Sequence, residues 1–225
     1  MFDGGSRVEI LRIGTTVFIL IAAAAVFAIA TNAQEIFPTK DSPLVIDKKN
    51  RRVLIYTEIN HNNLSSRNTH FGVVSKDGSL AKKAILKAFS NHLDFYDALI
   101  AIGANPGNNL TKERTGKYVD GDKLIVTVTW PGLNKELSLN DIFSDSSGKW
   151  FRMKFGGNRI ASEKENTGCI TCLESCWVGI TSNSAYPVTN SLKRLLSPNS
   201  YFRGNYEALP AQDGHPVILT YRLDR

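Results

Sequence analysis

Outside one eight-residue stretch the chain has no cysteine: all three lie in Cys169-Ile-Thr-Cys172-Leu-Glu-Ser-Cys176. That rules out the distributed disulfide framework of small secreted scaffolds. There is also no long block of like charge. The basic residues fall in short groups (Lys48, Lys49, Arg51 and Arg52; Lys82, Lys83 and Lys87; Lys112, Arg114 and Lys117), so a net charge of +6 and a pI near 9.2 describe a mixed, solvated surface. No nucleic-acid partner is expected from that pattern. Catalytic signatures are absent too. There is no Gly-x-Ser-x-Gly and no His-Glu-x-x-His, and Gly103-Ala-Asn-Pro-Gly107 is not followed by Gly-Lys-[Ser/Thr]. These absences argue against a common serine hydrolase, a zincin or a phosphate-loop enzyme, and the sequence leans away from an enzyme without deciding the point. Asp120-Gly121-Asp122 has too few oxygen ligands for a calcium loop. No internal repeat and no low-complexity segment interrupts the 225 residues.

What is present begins with a targeting pattern. Arg7 and Arg12 precede an apolar run over 13–30, which ends in the small residues around Ala33. Residues 1–33 therefore read as a signal peptide or a membrane anchor, since the run is close to the ~20 residues that span a bilayer. Residues 34–43, with Pro38 and Pro43, read as a linker. The rest, 44–225, is expected outside the cytoplasm, in the periplasm or at the outer face of the cytoplasmic membrane. The expected partners are a membrane or periplasmic protein, and the membrane itself if the helix is not cleaved.

Within 44–225, strands are expected at 44–47, 52–59, 69–75, 123–130, 150–155, 178–182 and 216–221, where β-branched and aromatic residues cluster or alternate. A returning hairpin strand is expected at 135–139, and a short turn or helix at 140–143. Two consecutive helices are expected between the third and fourth strands. One begins at the N-cap Ser79, with Leu80, Ala84, Ile85, Ala88 and Phe89 at helical spacing; the other begins at Asn91 and ends at Gly103. A single helical turn is expected at 191–196. The expectation is one α+β domain with a mainly antiparallel sheet and two consecutive helices, preceded by the N-terminal apolar helix. Trp130, Trp150 and Trp177 read as packing residues, with Trp177 also placed to shield the sulfurs.

Cys169, Cys172 and Cys176 carry the chemistry. Three thiolates suit zinc with a fourth ligand, or an iron–sulfur cluster with one external ligand, and His70, His92, His215 or Glu174 are available to complete the set. The same run also suits a structural disulfide with a spare thiol, or redox-active thiols, since export makes disulfides accessible.

Three stretches resemble the YdjY family of exported bacterial proteins. These are Phe95-Tyr-Asp-Ala-Leu-Ile-Ala-Ile-Gly-Ala-Asn-Pro-Gly107, Phe155-Gly156-Gly157 with the cysteine run after it, and Gly214-His-Pro-Val217. The resemblance implies a domain over about 44–221 but no defined activity. Some members carry a similar cysteine run and are labelled ferredoxin-like for it, and others lack it. This chain departs from the ferredoxin pattern, with three cysteines and Trp177 where a proline usually follows the last. The resulting expectation is an accessory protein whose metal, iron–sulfur or thiol site serves electron transfer. The rival is a non-catalytic periplasmic binding or scaffold module held by a disulfide.

Overall fold

β5 (Lys123–Thr129) alternates exposed and buried side chains along its length, as the Lys-Leu-Ile-Val-Thr-Val-Thr sequence dictates for a strand with one face on a core. β12 (Pro216–Leu223) lies antiparallel beside it, with Val217, Leu219, Tyr221 and Leu223 turned inward. β2 (Arg52–Ile59) pairs antiparallel with the other edge of β12. These three form the longest continuous ladder in the computed structural model, which describes Met1 and residues 36–68, 70–188 and 202–224. The expected signal or anchor helix at 13–30 and the expected turn at 191–196 lie outside the described residues.

The ladder continues through short strands until it meets itself. β8 (Met153–Phe155) pairs with β5, and β10 (Thr181–Asn183) with β8. β9 (Cys169–Cys172) runs parallel to β10, and β3 (Phe71–Ser75) antiparallel to β9. β4 (Leu86–Ala88) runs parallel to β3 and antiparallel to β2. Because β4 returns to β2, eight strands close into a barrel. β1 (Leu44–Asp47) and β6 (Leu137–Ser138) extend it beside β2 and β5. β7 (Phe143–Asp145) and β11 (Phe202–Gly204) form a separate two-stranded ribbon. Closure removes the unpaired edges that an open sheet exposes.

This overturns the expected α+β domain with two consecutive helices. The second of those helices exists as α2 (His92–Ala101), capped by the Asn91 side chain and ended at Gly103, whose φ of +83° suits glycine. The first does not. Residues 80–89 hold one 3₁₀ turn at Ala81–Lys83 and then β4. The apolar residues at helical spacing are buried by two neighbouring strands distant in sequence, and those ladders satisfy the β4 backbone on both sides. The other helices are short: α1 (His61–Leu64), α3 (Leu139–Ile142) and α4 (Arg159–Glu165). Among the described residues no helix is long and apolar enough to cross a membrane.

The core fills the barrel. α2 sends Phe95, Ala98 and Leu99 into it, and Phe95 meets Tyr221 edge-on at 4.7 Å between ring centroids. Tyr221 also reaches Thr171 Oγ1 at 2.6 Å, and Thr171 meets Thr181 Oγ1 at 2.9 Å. This buried polar row joins β12, β9 and β10, and so ties the closing strand to the strand bearing the cysteines.

Candidate metal centre

Cys169 and Cys172 both lie on β9, three residues apart, and on a regular strand their side chains would leave from opposite faces. The β9–β3 pairing is irregular, with register shifts between Phe71 and Val73 and between Val73 and Val74. Such shifts re-aim side chains locally. Both cysteines end in one small apolar cluster with Phe71, Val74, Ala84, Cys176 and Val178, separate from the main core.

After β9 the chain turns through Leu173-Glu174-Ser175, and polar groups fix that turn. Asn183 Nδ2 donates to the Leu173 carbonyl at 3.0 Å, and Ser175 Oγ accepts from the Val119 N–H at 2.9 Å. The Cys176 N–H donates to Ser182 Oγ at 3.3 Å. Gly179 then passes so close that a Cβ there would lie 2.7 Å from Cys172 Sγ. Backbone packs directly on that sulfur, which only glycine permits.

His70 comes from the start of β3, and its carbonyl accepts the Leu173 N–H at 2.8 Å. Nδ1 of His70 lies 3.1 Å from Glu174 Oε1, and Nε2 is buried with no hydrogen bond of regular geometry. The ring faces the Cys176 sulfur. One donor atom each from His70, Cys172 and Cys176 lies within 4.8 Å of the others, and all three residues are buried.

The charge distribution follows from these contacts. Burial alone would lower the His70 pKa, but the Cys176 sulfur and the Glu174 carboxylate outweigh it and raise it to about 10. The Cys176 thiol is held well below its ordinary value by contact with Cys172. Burial opposes that shift, while His70 and the Val178 N–H add to it. Contacts with Cys169 and then Cys176, together with burial, push the Cys172 thiol well above its ordinary value. These contacts favour negative charge on Cys176, the neutral thiol at Cys172 and positive charge on His70, with Glu174 behind the imidazole.

The structure brings together two of the three expected sulfurs, Cys172 and Cys176, with His70 of the four expected auxiliaries, while Glu174 stands behind His70 and outside that group. Cys169 touches Cys172 but stands outside the group that converges on a single point. All three cysteines are free thiols, so no disulfide holds the run here. His92 is buried elsewhere, with Nε2 facing the Ser162 carbonyl at 3.3 Å. His215 starts the last strand's approach, and its backbone bonds Ile59 and Gln212. Trp177 is half-buried and packs on the sulfur cluster and on Leu110, Val119 and Val188, in keeping with a shielding role. Trp150 is not a packing residue, being 72% exposed. Ser182 and Val178, which fix the surroundings of Cys176, escaped the sequence reading because a hydroxyl acceptor and a backbone N–H leave no motif.

The donor set fits a thiophilic ion. Zinc takes sulfur at ~2.3 Å and imidazole nitrogen at ~2.0 Å in a tetrahedron. Two cysteines and one histidine supply three positions. A carboxylate on the far ring nitrogen of the ligating histidine is the usual orienting partner.

Comparison with known proteins agrees with the fold's extent. The family model described as the YdjY domain matches residues 44–222, from β1 to the end of β12. A protein of Escherichia coli (strain K12), described as "Uncharacterized protein YdjY", is 39% identical over 188 residues, covering 82% of this chain and 80% of that one. No solved structure gives a significant match. A match spanning the whole barrel and a relative this similar over four fifths of both chains leave one assignment: the chain belongs to the YdjY family.

Proposed function

We propose that the barrel is a metal-binding module whose site is built from Cys172, Cys176 and His70, with Glu174 orienting the imidazole and the fourth position left to an external ligand. The observation that carries this is the convergence of two sulfurs and one imidazole within 4.8 Å of one another, all three residues buried. A single ion suits this spacing better than an iron–sulfur cluster, which needs more room and a fourth cysteine. Full burial weighs against a freely reacting redox thiol, because reactive cysteines need access. The apolar N-terminal run supports export. In that setting the module serves as an accessory to an extracytoplasmic electron-transfer system.

The test is elemental analysis with a thiol count on anaerobically isolated protein. One zinc or another thiophilic ion per chain is expected, lost in Cys176→Ser and His70→Ala. Metal-free protein that gains no ion from a zinc buffer, with all three thiols titratable, would sink the reading.

A further inference from the structure

The outer face of the β2–β12–β5–β8 ribbon sets like charges directly against each other. Arg222 on β12 stands opposite Arg52 on β2 and opposite Ile125 on β5. Two residues along β5 on the same face, Lys123 stands opposite Lys154 on β8. Like charges in directly opposed cross-strand positions destabilise a sheet. Two such pairs stand on this one face, and the fold neutralises one member of each. Asp47 neutralises Arg52 at 2.8 Å, and Asp120 neutralises Lys154 at 3.1 Å. Among the described residues Arg222 and Lys123 have no ion pair, although Glu136 and Asp224 line the same surface.

The face is also concave. Two grooves of about 500 and 520 Å³ meet at Ile125, which is 37% exposed. Hydroxyls line them: Thr127 and Thr220 in one, Ser138 and Ser184 in the other.

The geometry points to this face as the docking surface for an extended acidic segment of a partner protein, with carboxylates at alternate positions. The spacing is the argument. Arg222 and Lys123 are diagonal neighbours on adjacent strands, ~7–8 Å apart, close to the ~6.8 Å at which alternate side chains of an extended peptide repeat. One carboxylate would meet Arg222, whose guanidinium accepts it in bidentate fashion, and the next would meet Lys123. The peptide would cover Ile125 between them. This inference is independent of the metal site.

The test is fluorescence anisotropy of the full chain with a labelled peptide alternating glutamate and threonine. A lysine–threonine peptide and phosphatidylglycerol vesicles serve as comparators. The acidic peptide is expected to bind at low ionic strength and to weaken with salt. The Arg222→Thr/Lys123→Thr variant should bind at least about tenfold more weakly, a change of ~1.4 kcal/mol. Its thermal midpoint should be no lower than wild type, because the like-charge opposition is relieved. Lys82→Thr, a change on the 3₁₀ turn, should leave binding intact. The proposal is overturned if the acidic peptide does not bind, if the lysine peptide binds equally well, or if the double variant binds like wild type. Binding to the vesicles but not to the peptide also overturns it, and assigns the face to a lipid surface.

Discussion

Nδ1 of His70 and Oε1 of Glu174 stand 3.1 Å apart with both side chains almost wholly buried. The two residues are far apart in sequence, and the β3–β9 pairing brings them together. A carboxylate so placed fixes the ring's orientation and favours its charged form.

Replacing that carboxylate tests its role in orienting the ring. Glu174→Gln keeps the shape and removes the charge, so it should weaken zinc binding by ~10–100-fold, the range seen when such outer partners are lost. Competition with a chromogenic chelator measures this. His70→Ala should cost more than Glu174→Gln, because it deletes a donor atom. Equal affinity in wild type and Glu174→Gln would remove Glu174 from the site.

Gly179 offers a steric test. An alanine Cβ would stand 2.7 Å from Cys172 Sγ and 3.2 Å from Cys176 Cβ. Gly179→Ala should therefore displace the sulfur, cost ~1–3 kcal/mol by urea denaturation, and weaken ion binding in the same protein. A stability equal to wild type would mean that the loop yields without strain.

His92 sets a pH dependence. Burial lowers its pKa below the ordinary 6.5, only partly offset by the Ser162 carbonyl, so the fold favours the neutral ring. A depressed folded pKa gives a contribution that is complete above the unfolded value and lost as pH falls through the folded one. Stability should fall as pH drops from about 7 to about 5. In His92→Gln that slope should be shallower. Urea midpoints across the range decide it, and parallel slopes would exclude His92 as the cause.

Tyr221 tests the polar row inside the barrel. Its hydroxyl meets Thr171 Oγ1 at 2.6 Å, and Thr171 keeps a second partner in Thr181 at 2.9 Å. Because that second bond survives, Tyr221→Phe should cost only about 1 kcal/mol. Equilibrium denaturation with an unchanged denaturant slope is the readout.

The long strands were legible because their patterns are local. β2, β5 and β12 begin at Arg52, Lys123 and Pro216, as alternation and β-branched content predict. The short strands were not. β4 has three residues, and its apolar spacing around Ala84, Ile85 and Ala88 also fits a helix. Only β2 and β3, pairing on either side, decide for the strand, and no window of sequence contains that information. The barrel hinges on that one strand, so misreading it turned a closed sheet into an α+β domain. α4 was hidden in the polar stretch after Asn158 for the opposite reason: little of it faces the core.

The site was half legible. The cysteine spacing marked where the chemistry lies, and His70 and Glu174 were two of four residues offered to complete it. Nothing local separates His70 from His92. Both are buried, and only the register of β3 against β9 brings one of them to the sulfurs. The division of roles among the cysteines depends on irregular pairing beside Val73, which a residue pattern does not encode.

The pairing of β2 with β12 bears on the order of assembly. Thr57 donates to the Val217 carbonyl across 160 residues of chain. Contacts so distant in sequence form slowly, because a long loop must close before they stabilise anything. The ring cannot shut until the last strand has been made and seated. During synthesis and any passage through a membrane, β2 and β5 lack the neighbour that lies between them, and the thiols of β9 are unsheltered. That interval is when an ion can enter, and when oxidation can instead join two sulfurs before the barrel shelters them.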